Sequence, residues 1–174
     1  MVLNVGGAGL SQMMTRARPF APFIFLLQAI GIEDPLTQHL FFAVGARHFD
    51  RIDGATYAPW LRDEPLAGSP SDRQVLLQIG LGDTEVPNHT AYLHARALGL
   101  GVVAPAPRHP WGLDEVEAPA SGMTLFDFGI DTAVMAAPFG AEVENEVHEG
   151  VRLLPAAQAQ MDAFFRPKGR IIPL

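Results

Sequence analysis

The chain has 174 residues, 48% of them hydrophobic, and a net charge of −7. That length and apolar content suffice for one domain with a packed core, whereas the acidic balance, with only twelve scattered Lys and Arg, argues against nucleic acid as a partner. The absence of cysteine excludes disulfides, thiolate metal ligands and a Cys nucleophile.

Met1-Val2-Leu3-Asn4-Val5 reads as a strand that begins without lead-in and runs into Gly6-Gly7-Ala8-Gly9. The glycines suit close packing at a strand end. A dinucleotide fingerprint is not completed: Gln12 stands where the third glycine belongs, and no second strand ends in an acid at the right distance, so no cofactor is expected. Ser11 just beyond is either a candidate nucleophile or a turn serine bonding its own backbone. No basic region precedes an apolar one at the start, which reads as a cytoplasmic chain or a piece of something larger.

Arg16 to Leu61 reads as helical, with Pro19 and Pro22 opening a first segment over Phe23 to Ile30. The apolar stretch Phe20 to Ile32 falls short of the roughly 20 residues that a bilayer crossing needs, so no membrane span is expected. Asp34-Pro35 supplies an N-cap and a first helical residue for a second helix, extending to about Asp50 with Leu36, Leu40, Phe41 and Val44 on one side. Phe20, Phe23, Phe25, Phe41, Phe42 and Phe49 are expected to pack inward rather than line a pocket.

A Pro/Gly/Ser-rich connection, Glu64 to Ser71, leads to Val75-Leu76-Leu77-Gln78-Ile79, a short apolar run of the kind buried on both faces of a parallel sheet. It hands over through Gly80-Leu81-Gly82 to Asp83, a carboxylate at the carboxyl end of a strand, where open α/β sheets place their chemistry. Val86-Pro87 then starts a helix with Leu93, Ala97 and Leu100 on one face, ended by Gly99 and Gly101. Gly101 to Pro105 reads as a short strand, followed by an extended loop through His109 and Trp111. Met123 to Gly129 alternates as a late edge strand would. His148 lies in an acidic loop with Glu142, Glu144, Glu146 and Glu149, a setting that raises a histidine pKa. After it Val151, Leu154, Ala157, Met161 and Phe164 fall at helical spacing.

Gly82-Asp83-Thr84-Glu85-Val86-Pro87, after a hydrophobic strand and before a helix ending in Ala-Leu-Gly, resembles the acid-bearing segment of an α/β-hydrolase of the esterase or lipase kind. In that family a histidine follows on a loop leading into the last helix, and His148 matches that position. The resemblance implies that Asp83 and His148 are the acid and base of a Ser-Asp-His triad, that the substrate is a small ester, and that the chain is the C-terminal half of such a fold. It also implies a single α/β domain over residues 1–174, with a mostly parallel sheet of about four strands, flanking helices and a lid-like helical insertion at 16–61. The family's nucleophile turn, G-x-S-x-G, is missing: around Ser11 the second glycine is absent, so Ser11 or a water would have to serve. A halved sheet leaves an edge and an apolar face uncovered, which implies a homo-oligomer or a complementing N-terminal half. Two other readings stand beside weak ester hydrolysis: a non-catalytic remnant that acts as a binding or assembly module, and a metal-dependent hydrolase. The latter lacks sequence support, since no H-E-x-x-H or H-x-H occurs and His89 and His94 are spaced onto different helix faces.

Overall fold

The computed structural model describes residues 1–131, 133, 135 and 143–174. Five strands form one parallel sheet: β1 (Val2–Asn4), β2 (Leu76–Gly80), β3 (Val102–Val103), β4 (Glu115–Val116) and β5 (Gly122–Phe126), in the order β1-β2-β5-β3-β4. The protein is therefore of the α/β class, with one strand more than the sequence led us to expect. The extra one, β4, is two residues long and carries no apolar pattern that would announce it. The expected late edge strand is not at the edge. β5 lies between β2 and β3 with all five residues buried, because β3 and β4 continue the sheet beyond it. The edges are β1 and β4.

Seven helices accompany the sheet among the described residues: α1 (Leu10–Arg16), α2 (Ala21–Ala29), α3 (Pro35–Gly45), α4 (Gly54–Arg62), α5 (Asn88–Ala97), α6 (Val147–Leu153) and α7 (Pro155–Phe165). One apolar cluster joins Leu77, Ile79 and Leu125 of the sheet to Ala58 of α4 and to Ala91, Ala95 and Leu98 of the α5 region. The opposite side is filled from α6 and α7, with Val151, Ala157 and Phe164 packed near Phe126, Leu76 and Val103. Alternation along β2 is what divides its side chains between two helical layers.

Several faces differ from expectation. In α5 the core is met by Ala91 and Ala95, with the expected Ala97 packed against the same cluster and Leu100 buried in it, while Leu93 is only half-buried; small residues let helix and sheet approach. This helix ends in a Schellman arrangement: Leu100 N–H donates to Ala95 O, Gly99 N–H donates to Arg96 O, and Gly99 takes φ +61°. The run after His148 is two helices rather than one, broken at extended Leu154 before Pro155; Met161 packs against the Leu76, Val103 and Phe164 cluster as expected, and Gln160 is buried beside it.

In α3, Asp34 caps as expected, its Oδ2 accepting from Thr37 N at 2.8 Å. The helix stops at Gly45, and the side expected to be apolar and buried is open: Leu36 is 77% exposed and Val44 71%, with Leu40 and Phe41 also exposed. Phe42 and Gln38 point inward instead. The aromatic residues divide likewise. Phe42 is buried beside Met14 and Leu27, with Phe20 and Phe49 packed against that cluster, whereas Phe23, Phe25 and Phe41 are exposed. These helices hold a small apolar cluster of their own, too small to cover all their apolar side chains.

Two buried polar groups tie the frame together. Asp53, the N-cap of α4, accepts hydrogen bonds from Ala55 N, Gly9 N and Leu10 N, fixing the turn after β1 to the start of α4. Gln78 in β2 accepts from Asn4 Nδ2 of β1 at 2.9 Å and donates to Ala157 O and Gln160 Oε1 of α7. Gln160 in turn donates to Ile172 O. No helix among the described residues is long and apolar enough to cross a membrane.

Candidate active site

The chain leaves β2 through a tight turn whose shape depends on residue size. Gly82 has φ +87°, and a Cβ there would lie 2.6 Å from Ile130 Cβ, so both conformation and space call for glycine. Two amides clasp this turn. Asn88 donates to Gly80 O and accepts from Gly82 N, and Asn145 Nδ2 donates to Gly82 O at 2.8 Å. The result is to hold Asp83 rigidly at the carboxyl end of β2.

Asp83 is buried, and its two oxygens have separate tasks. Oδ1 accepts from Glu85 N and Val86 N, the turn-and-cap role that an aspartate often plays. Oδ2 lies 2.8 Å from Nδ1 of His148. The turn role and the pairing role open at the sequence level are both filled by one side chain.

His148 arrives from the other direction. Glu146, in the left-handed region at φ 59°, turns the chain into α6, and His148 occupies the first turn of that helix rather than a loop. Gly80 allows the close approach, since a Cβ on it would collide with Val147 Cγ1 and lie 2.9 Å from Val151 Cγ2. Nε2 of His148 lies 3.1 Å from Arg152 Nη2 and 3.8 Å from Glu85 Oε2. A guanidinium can only donate, so Nε2 accepts and the ring proton belongs on Nδ1, facing Asp83. This is the tautomer a general base requires.

The hydrogen bond to Asp83 raises the His148 pKa above its ordinary value. Burial opposes this, the Asp83 and Glu85 charges add to it, and the Arg152 charge opposes it again. The direction matches the sequence reading, but the cause differs. The expected acids face other partners: Glu149 pairs with Arg152 at 2.6 Å and Glu144 with Arg18 at 3.8 Å, while Glu142 lies outside the described residues.

Ser11 sits on α1, half-buried. Among the described residues no hydrogen bond joins it to His148, whose ring nitrogens meet Asp83 and Arg152. The structure thus brings Asp83 and His148 together and forms no such contact with Ser11. No group of three or more His, Asp or Glu suited to a metal ion occurs among the described residues.

Beside the pair, on the Asp83 side, lies a cavity of about 110 Å³ with Arg16, Asp83, Thr84, His89, Tyr92 and Arg108 in its wall. Burial, and next the charge of Arg16, pushes His89 down to about 4, so its imidazole is neutral near pH 7. Compared with protein-family models, with curated proteins and with solved structures, the chain has no match.

Sequence reasoning missed the supporting residues. Arg152 stands four positions after His148, a helical spacing that brings two side chains together once the helix is known to begin at Val147. Asn88, directly after Pro87, was legible as a helix start but not as a clasp. Asn145 carried no local signal, because its partner is 63 residues away.

Proposed function

We propose that the chain is an α/β-hydrolase-like domain that hydrolyses small carboxylic esters, with Asp83 orienting His148 and His148 acting as general base. The observation that carries this reading is the 2.8 Å contact between His148 Nδ1 and Asp83 Oδ2, with the lone pair of Nε2 directed away from the acid. Nε2 removes a proton from a hydroxyl, of Ser11 or another serine or of a water, as its oxygen attacks the ester carbonyl. The tetrahedral oxyanion collapses by breaking the bond to the alkoxide, which takes the proton back from the imidazolium; where the attacking hydroxyl is a serine's, a water deprotonated by Nε2 then attacks the acyl-enzyme, and the serine oxygen leaves with the returned proton as the acid is released. Asp83 stabilises that imidazolium without itself taking the proton. With no G-x-S-x-G turn to supply nucleophile and oxyanion donors together, we expect turnover reduced by on the order of 10²–10³. Helices α2 to α4, inserted between β1 and β2, take the place of a lid.

Turnover of p-nitrophenyl acetate by the purified chain, His148→Ala and Asp83→Asn tests the assignment, with a fluorophosphonate probe and peptide mapping to find any reactive serine. Both variants should fall to the buffer rate. Because the base must be neutral and its pKa is raised, the parent's rate should fall as pH drops through a value above that of an ordinary imidazole.

The contact of Arg152 with Nε2 favours a second reading, since it occupies the atom that catalysis needs. Under this reading the domain is a non-catalytic binding or assembly module. Turnover that survives both substitutions, or none in the parent, would move the conclusion there, and loss to a chelator alone would point to metal-dependent hydrolysis.

The open faces of α2 and α3 support self-association. Their exposed Phe, Leu, Ile and Val side chains present apolar surface of the kind that a partner covers. We take the occupant to be a second copy.

A further inference from the structure

We propose that the cavity beside Asp83 is a binding site for a carboxylate monoanion, and that the substrates are esters carrying a free carboxylate at some distance from the bond that is cleaved. The substrate class rests on the hydrolase reading above; the binding site does not. Six buried side-chain polar atoms among the described residues lack a hydrogen-bond partner, and three of them, Arg16 Nε, His89 Nδ1 and Tyr92 Oη, belong to residues in the wall of this one cavity. Buried polar groups are rarely left unpaired, and although these three atoms are themselves closed to solvent, their side chains give the wall of this cavity an unusual share of unmet hydrogen-bonding capacity.

The charges decide what that partner is. Arg16, at the end of α1, donates from Nη2 to Met135 O, and Arg108, in the loop after β3, contacts Met135 Sδ. Neither has a carboxylate partner among the described residues, although the chain holds nineteen acids against twelve bases. Two guanidiniums in the wall of one cavity, without a carboxylate salt-bridge partner among the described residues, favour an anion. The first turn of the ten-residue α5 lies in the same wall and adds its positive end. Tyr92 keeps its proton, since burial raises its pKa, and remains a donor.

Size and neighbouring charge narrow the choice further. At about 110 Å³ the cavity admits a group of a few heavy atoms, given that one water needs only about 10–15 Å³. Asp83 stands in the same wall, and its negative charge penalises a second charge on the ligand. A planar monoanion, able to meet a guanidinium through two oxygens, therefore fits better than a phosphate dianion.

Calorimetric titration of the folded chain with sodium acetate, sodium phosphate and sodium chloride tests this, alongside Arg108→Gln, Arg16→Lys and Tyr92→Phe. Arg108 is exposed, so its variant should keep the parent's circular dichroism even if Arg16→Lys does not. Saturable acetate binding that exceeds any chloride response, weakens about tenfold in Arg108→Gln and stays ahead of phosphate is the expected result. Absence of saturable acetate binding, equal binding in Arg108→Gln and Tyr92→Phe, or tighter binding of phosphate overturns the proposal. Acetate binding that persists in His148→Ala without any ester turnover in the parent would retain the site and discard the hydrolase reading.

Discussion

At Nε2 of His148 two demands compete. Arg152 fixes the useful tautomer by donating to that nitrogen, yet it covers the lone pair and its charge opposes protonation. Replacing Arg152 with glutamine removes the cation, so the His148 pKa should rise further, visible as an upward move of its midpoint in an NMR titration. Above the new midpoint ester turnover should increase, because the base is uncovered. A midpoint that stays put would mean that the guanidinium is dispersed in solution and leaves the ring unaffected. The raised pKa also bears on stability. The folded state holds the His148 proton more tightly than the unfolded chain, so the pair's contribution is fully present below the ordinary imidazole value and is lost as pH rises through the folded value. At this scale the sequence was partly legible. Asp83 could be picked out at a strand end and His148 only through the family resemblance, on an expected loop that proved to be the first turn of a helix, whereas Glu85, Asn145 and Arg152 matter only through where the fold puts them. The acidic surroundings of His148 were visible, but which acid acts was decided by geometry.

The elements depend on one strand residue with no side chain. Gly80 lets α6 lie against β2, and Gly150 makes a similar concession to Phe128, 2.8 Å from where its Cβ would stand. Gly80→Ala should cost about 1–3 kcal/mol in chemical denaturation, at the upper end because Val147 and Val151 are both in the way. It should also lower turnover by pushing His148 from Asp83, and Val147→Ala in the same chain should restore part of both. Loss of stability with unchanged turnover would separate α6 placement from the chemistry. The core of β2 and the start and end of α5 were readable from apolar runs, Pro87 and Gly99. The position of β5 inside the sheet was not, since alternation over a few residues marks a strand but says nothing about its neighbours. The exposed side of α3 escaped for a related reason: helical spacing identifies an apolar stripe without supplying a surface for it to meet.

Viewed whole, the molecule has two unlike halves. The sheet strands bury most of their apolar residues against α4 to α7, while α2 and α3 bury Leu27 and Phe42 and leave most of their other apolar side chains open. The expected solution state is a dimer by light scattering, with Leu36→Asp and Leu40→Asp both yielding monomers of unchanged circular dichroism, because both side chains are mostly exposed. A monomeric parent at micromolar concentration would dismiss the second copy as the occupant of this face. The amide chain running from Asn4 through Gln78 to Gln160 and Ile172 has a separate consequence at the edge of the sheet. It works as a password for the berth beside β2: an intruding strand that lacks an amide opposite Gln78 leaves a buried acceptor unanswered, so foreign segments are turned away. The same strand from an identical molecule carries the right amide at the right register, so exchange of β1 between copies would meet no such penalty.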